Sequence, residues 1–224
     1  MSFGSLILTV TSPVQTFAEP VTLAEARAWL ELPEFEFETS PQIAPDSDRN
    51  AMIESLISAA RHQAEIQEDK DLVRKQWDLH LDSFYDCDSF VDYWSYAGAV
   101  RPRGPLVSVD LVRYRDSDGN YTTLTEDTDY IVDIPRALIL PTYGNSWPSF
   151  TEWPSSAVLI RFTSGYAPED AFWNDAGKSI KLGMRYLISA WFNNRLPFES
   201  GNKEGISEYP WTVSALLRSV PRVG

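Results

Sequence analysis

The chain has 224 residues and 25.4 kDa, enough for one generous domain or a compact domain carrying an insertion. Hydrophobic residues at 43% and charged ones at 23% exclude wholesale disorder and fibrous repeats; the single Cys87, with no C-x-x-C or Cys/His cluster, excludes an internal disulfide and a structural zinc site. Nineteen basic against 32 acidic residues give a net charge of −13, the wrong sign for gripping a polyanion through counterion release.

Near the N-terminus the longest apolar run, Leu6 to Val10, is far shorter than the roughly 18 residues of a membrane span and has no basic flank. Nothing there predicts a membrane partner, and the expected compartment is the cytoplasm. The next signal is Thr22-Leu-Ala-Glu25, a capping box in which Thr22 caps a helix and Glu25 reaches back to it. A short helix is expected from Thr22 to about Glu31, with Trp29 on its apolar stripe, ended by Pro33. The acidic stretch Glu34 to Pro45 has no period and reads as an exposed loop whose length suggests partner contact or disorder.

Asp46, Ser47 and Asp48 are N-cap candidates for a long helix to about Glu68, along which Met52, Ile53, Leu56, Ile57, Ala60 and Ala64 recur every three or four residues. The period then becomes two: Trp77, Leu79 and Leu81 alternate with Asp78, His80 and Asp82, a strand with one wet face. Phe84 to Arg103 reads as a long excursion. Strands are expected at Val107–Tyr114 and Tyr121–Leu124 about a tight Asp116–Asn120 turn, then at Tyr130–Ile134, Ala137–Leu140 and Ala157–Thr163. From Asp175 to about Asn194 the helical period returns through Ile180, Met184, Leu187, Ile188 and Trp191. Pro210 opens a last short helix with Val213, Leu216 and Leu217. The charge shifts along the way: residues 1–177 carry 12 basic and 29 acidic side chains, residues 178–224 carry 7 and 3, which points the tail towards an acidic partner or the acidic bulk of a neighbouring subunit.

The expected fold class is α+β: a helical core of about four helices from both chain ends, residues 1–72 and 165–224, with an antiparallel β-domain, residues 73–164, inserted between the second and third helices.

Catalytic chemistry finds no footing. His62 and His80 have no relay pattern around them, and no phosphate-cradling or nucleophile-elbow motif occurs. Cys87 lies between aspartates that would raise a thiol's pKa. Asp116-Ser-Asp-Gly-Asn120 resembles the opening of a calcium loop but lacks its further ligand positions and flanking helices, so turn chemistry explains it. Asn120-Tyr-Thr122 fits a glycosylation sequon, without meaning in the absence of a secretion signal. No catalytic, cofactor or metal residue is assigned, and the chain is not expected to be an enzyme. Eight tryptophans among many carboxylates could instead describe an acidic, aromatic-rich carbohydrate-binding module using the loop residues Trp94, Trp147 or Trp153.

Several segments in order carry a resemblance: Val21-Thr-Leu-Ala-Glu-Ala-Arg-Ala-Trp-Leu30, the helix Ile53 to Glu65 with Ser58-Ala-Ala-Arg61, Gly104-Pro-Leu-Val-Ser-Val109, Tyr114-Arg-Asp-Ser-Asp-Gly119, Tyr130-Ile-Val-Asp133 and Ser164-Gly-Tyr166. Over about residues 20–220 the chain resembles the head-tail connector (adaptor) proteins of tailed bacteriophages, closest to the gp6-like and phiE125 gp8-like adaptors. The stretches Glu34–Pro45 and Asp86–Ala99 are longer and more acidic than that pattern. The resemblance implies a structural virion protein of the neck, assembled in the host cytoplasm as a homo-oligomeric ring, a dodecamer, under the portal protein and above a stopper or tail-completion protein. Genome DNA would pass through without specific binding, since an acidic channel wall repels phosphate. The portal-facing element is expected in the basic tail, at Tyr209, Trp211, Leu216, Leu217, Arg218 and Arg222, with Trp211 as anchor. A carbohydrate module is the alternative, and a non-viral globular scaffold comes third.

Overall fold

A computed structural model describes residues 7–10, 18–32, 46–85, 98–149, 153–193 and Leu216. In chain order its elements are β1 (Ile7–Val10), α1 (Leu23–Trp29), α2 (Asp46–Glu68), β2 (Lys75–Leu81), β3 (Leu106–Arg115), β4 (Tyr121–Leu124), β5 (Tyr130–Asp133), β6 (Leu138–Pro141), β7 (Val158–Ser164), a 3-10 turn (Ala171–Asn174) and α3 (Ala176–Asn193). Helices and antiparallel sheets together make the class α+β. Among the described residues there are three α-helices rather than about four; the closing helix expected from Pro210 lies outside them except for Leu216, which is helical and half-buried. The chain divides into two units, Met1–Phe17 with Val73–Tyr166 and Ala18–Leu72 with Ala167–Gly224.

In the helical unit, α1 starts at the capping box expected from sequence. The Glu25 N–H donates to Thr22 Oγ1 at 3.2 Å and the Thr22 N–H to Glu25 Oε2 at 2.8 Å, so two otherwise orphaned donors of the first turn are satisfied. Helix α2 begins at Asp46 itself, which puts Ser47 and Asp48 inside the first turn, where a carboxylate is favoured by the helix dipole. Ile53, Ile57, Ala60 and Ala64 form its buried stripe, while Leu56 is only half-buried. Asp69, at φ 52°, turns the chain out of the helix. Helix α3 buries Ile180, Met184, Leu187 and Ile188, packs against α2, and shares α1 with it. Its Gly177 is required by the 3-10 turn: a Cβ there would lie 2.6 Å from the Trp173 ring.

The other unit is a five-stranded antiparallel sheet in the order β1-β2-β7-β3-β4, with a two-stranded β5-β6 sheet. Strand β1 was not anticipated. Its four residues read in the sequence only as a short apolar run counted with the helical part, whereas Ile7–Val10 pairs with Trp77–His80 and extends the sheet from the far end of the chain. Two register shifts in β3, between Leu106 and Ser108 and between Val109 and Leu111, mark bulges against β7. Val100 exchanges both backbone hydrogen bonds with Ile139, at 2.9 and 2.8 Å, so the end of the excursion from Phe84 joins the small sheet. Leu79, Val112, Ile139, Val158, Ile160 and Phe162 form the centre of this unit's core. At the end of β7, Gly165 adopts φ 100°, and its N–H donates to the Pro105 carbonyl at 2.9 Å.

Candidate functional site

Of the residues assigned to partner binding, only Leu216 is described; Tyr209, Trp211, Leu217, Arg218 and Arg222 lie outside the described residues, as do Cys87, Trp94 and the loop Glu34–Pro45. The site therefore has to be sought in what the two units expose.

The tryptophans divide sharply. Trp147, a candidate sugar platform in the sequence, is 2% exposed; its ring stacks on Phe84 with centroids 4.3 Å apart and 5° between planes, and its indole N–H donates to the Gly98 carbonyl. A ring so enclosed presents no face to a sugar. Trp153 is half-buried with the Arg115 guanidinium 3.9 Å from its ring centroid. Trp29, expected in the core, is 38% exposed and meets the edge of Tyr186, itself 45% exposed, at 5.5 Å. That exposed aromatic pair spans α1 and α3, and its side-chain types are those that anchor protein interfaces. The sequence reading put Trp29 on the apolar stripe; the helix ends at Trp29, and its buried residue is Ala26.

Around that pair the charges are ordered. Arg185 donates to Glu25 at 2.9 Å. Burial raises the Glu25 pKa, but the Thr22 backbone and hydroxyl hydrogen bonds, with Arg185 and Lys181 nearby, outweigh it and hold the carboxyl below its ordinary 4.5. Deeper in the same unit, Arg61 bridges Glu19 and Glu65, each at 2.9 Å, and Glu65 also accepts the Leu72 N–H at 3.1 Å. This buried ionic set ties the segment before α1 to the exit of α2. It is structural in geometry, since every carboxylate faces a donor of its own fold.

On the sheet unit, the face opposite the core carries Asp78 and Arg161, joined by two hydrogen bonds of 2.7 and 2.9 Å. The hydrogen bond to Asp78, opposed by burial and helped by the charges of Asp78 and Asp110, raises the Arg161 pKa. Asp110 accepts from Gln76 at 2.8 Å and from Ser108 at 2.9 Å. Further along the same sheet, Arg113 and Arg115 lie 4.3 and 5.2 Å from the Tyr121 ring centroid. The β5-β6 sheet exposes Ile131 and, at the turn beyond β5, Ile134, while Tyr143 stands almost fully in solvent. Tyr130 points inward; burial, then the neighbouring Glu126, Asp127 and Asp129, raises its pKa.

Nothing described assembles into a reaction centre. His62 is exposed and His80 half-buried on their separate elements, and among the described residues no group of three or more His, Cys, Asp or Glu side chains could hold a metal ion. The Asp116 carboxylate is used by its own turn, accepting the N–H groups of Asp118 at 3.0 Å and Asn120 at 2.9 Å. Among the described residues no helix is long and apolar enough to cross a membrane.

Comparison with known proteins bears on the same point. No protein-family model and no curated protein matches the chain. Solved structures do. The chain is similar to one in the neck of an empty gene transfer agent (GTA) particle computed with C6 symmetry, at TM-score 0.64 and 20% identity over 94% of this chain and 93% of that one. It is also similar to a chain of the virion of a native gene transfer agent particle, at TM-score 0.60 and 17% identity over 97% and 98% of the two chains. A chain in the neck of the native particle computed with C12 symmetry matches at TM-score 0.51 and 19% identity over 85% and 97%. The fold is thus one found in the necks of phage-like particles, shared over nearly the whole chain.

Proposed function

We propose that this chain is a structural subunit of a virion neck, a head-tail connector that forms an oligomeric ring between portal and tail or stopper proteins. The single observation that carries the reading is the fold shared end to end with a neck chain, 94% of one and 93% of the other. Neck structures computed with C12 and C6 symmetry support a ring, with twelve copies as the proposed number. The division of labour proposed for the chain is a helical adaptor core from the parts of residues 1–72 and 165–224 that form the helical unit, and a β-domain at residues 73–164 that residues 1–17 join through β1.

Net charge supports the ring's second property. A channel wall drawn from a subunit of charge −13 repels phosphates, so DNA moves through without adhering. The portal-binding residues proposed are Tyr209, Trp211, Leu216, Leu217, Arg218 and Arg222, in the tail whose excess of basic side chains sets it apart from the acidic remainder. Mixing the purified chain with its portal protein tests the reading: a stable complex of defined copy number supports it, whereas a monomer indifferent to portal but retained by glycans would return the protein to the carbohydrate-binding class.

A further inference from the structure

Strand β4 ends the five-stranded sheet, and among the described residues no strand pairs with its outer side. Exposed sheet edges are usually protected by charge, proline or a bulge. Tyr121-Thr-Thr-Leu124 is protected by its shortness alone, four residues, and carries none of these; it consists of residues that favour strands, and Tyr121, Thr122 and Thr123 are exposed. Inward of this edge, on the face away from the core, Arg113 and Arg115 stand two residues apart on β3, opposite Thr123 and Tyr121. Arg115 donates to the Gly119 carbonyl at 3.1 Å, and the Arg113 Nε is buried without a hydrogen-bond partner. Among the described residues neither guanidinium makes an ion pair; both are held by aromatic rings instead. In a chain of charge −13, two adjacent arginines without carboxylates are conspicuous.

The chain carries the complementary pattern elsewhere. Within the acidic stretch after α1, Glu34-Phe-Glu-Phe-Glu38 alternates strictly, a period of two inside a segment that lacks one overall. In extended form it places Glu34, Glu36 and Glu38 on one face about 6.7 Å apart, the spacing of Arg113 and Arg115, and Phe35 and Phe37 on the other. Added beside β4, such a strand would continue the sheet with carboxylates on the arginine face and phenylalanines on the face where Leu124 and Val112 are buried. Its backbone N–H and C=O groups would pair with those of β4.

We propose that the edge of β4, with Arg113 and Arg115, receives the segment Glu34–Glu38 of a second copy of this chain, making one of the contacts between adjacent subunits. This rests on the ring reading above and specifies how neighbours join. The test uses full-length chains carrying Cys87→Ser and two different tags, one copy with Thr122→Cys and the other with Phe35→Cys or Phe37→Cys, assembled with portal and mildly oxidised. The expected result is a disulfide joining the two differently tagged copies. Arg113→Glu with Arg115→Glu should weaken assembly about tenfold or more, and adding Glu34→Arg, Glu36→Arg and Glu38→Arg to the same chain should restore it. Rings that form without a disulfide between differently tagged copies, disulfides only between copies carrying the same tag, or charge reversals that leave assembly unchanged would overturn this inference and leave the ring reading intact. A wild-type chain that stays monomeric with portal would overturn both.

Discussion

Glu25 shows how much one side chain can be read for. It closes the capping box of α1 and accepts from Arg185 of α3, so the helix that starts with it is fastened by it as well. Its folded-state pKa is depressed below 4.5, so its contribution is present above the unfolded value and fades as pH falls through the folded one. Denaturant unfolding at neutral pH and again near the folded-state pKa should show Glu25→Gln destabilised at neutral pH and the gap to wild type narrowing in acid. A gap independent of pH would mean the carboxylate's charge is not what fastens α1. Glycine offers a second residue-scale test. At Gly165 a Cβ would sit 2.0 Å from the Val73 carbonyl oxygen, whereas at Gly144, with φ 79°, it would meet nothing within 4 Å. Gly144→Ala should therefore cost about 1 kcal/mol from backbone strain alone. Gly165→Ala should cost more than about 3 kcal/mol, because the strand end must move. Thermal unfolding of the two variants side by side separates them.

Among the elements, those written in local pattern were legible. Thr22 and Glu25 marked the start of α1, the three-and-four spacing marked α2 and α3, and the Asp116–Asn120 turn fixed the β3-β4 hairpin, whose return strand runs from Tyr121 to Leu124 as expected. What escaped depends on distant partners. Ile7–Val10 is a strand because Trp77–His80 pairs with it, and Trp147 is core because Phe84 stacks on it; neither partner can be found by scanning neighbours. Leu56 and Leu187 make the same point, both predicted as core from spacing, only one so by contact. Leu187 is 1% exposed between helices, so Leu187→Ala should cost about 2 to 5 kcal/mol. Leu56 is half-buried, and Leu56→Ala should cost about 1 kcal/mol or less. Equal losses in a denaturation series would show that the stripe on α2 is wider than its buried residues.

At the scale of the whole molecule, a fold shared with neck chains of gene transfer agent particles is combined with an uneven charge distribution. The helical and sheet units expose aromatic and arginine side chains suited to protein contact, and the basic tail gives the acidic subunit a distinct end. Deleting residues 209–224 should leave a folded subunit that no longer co-purifies with portal. Arg218→Glu with Arg222→Glu should weaken that binding and reduce its salt dependence. A truncated chain that binds portal unchanged would move the contact to another surface, the stretch Glu34–Pro45 or the β-domain. The site was less legible than the fold because partner-binding residues answer to a surface on another chain, and no internal period records that surface. The central claim is tested most directly by the intact mass of the complex formed between this 25.4 kDa chain and its portal protein. Twelve copies of the chain on each portal ring are expected; a chain that remains monomeric beside an unaltered portal would overturn the proposed ring.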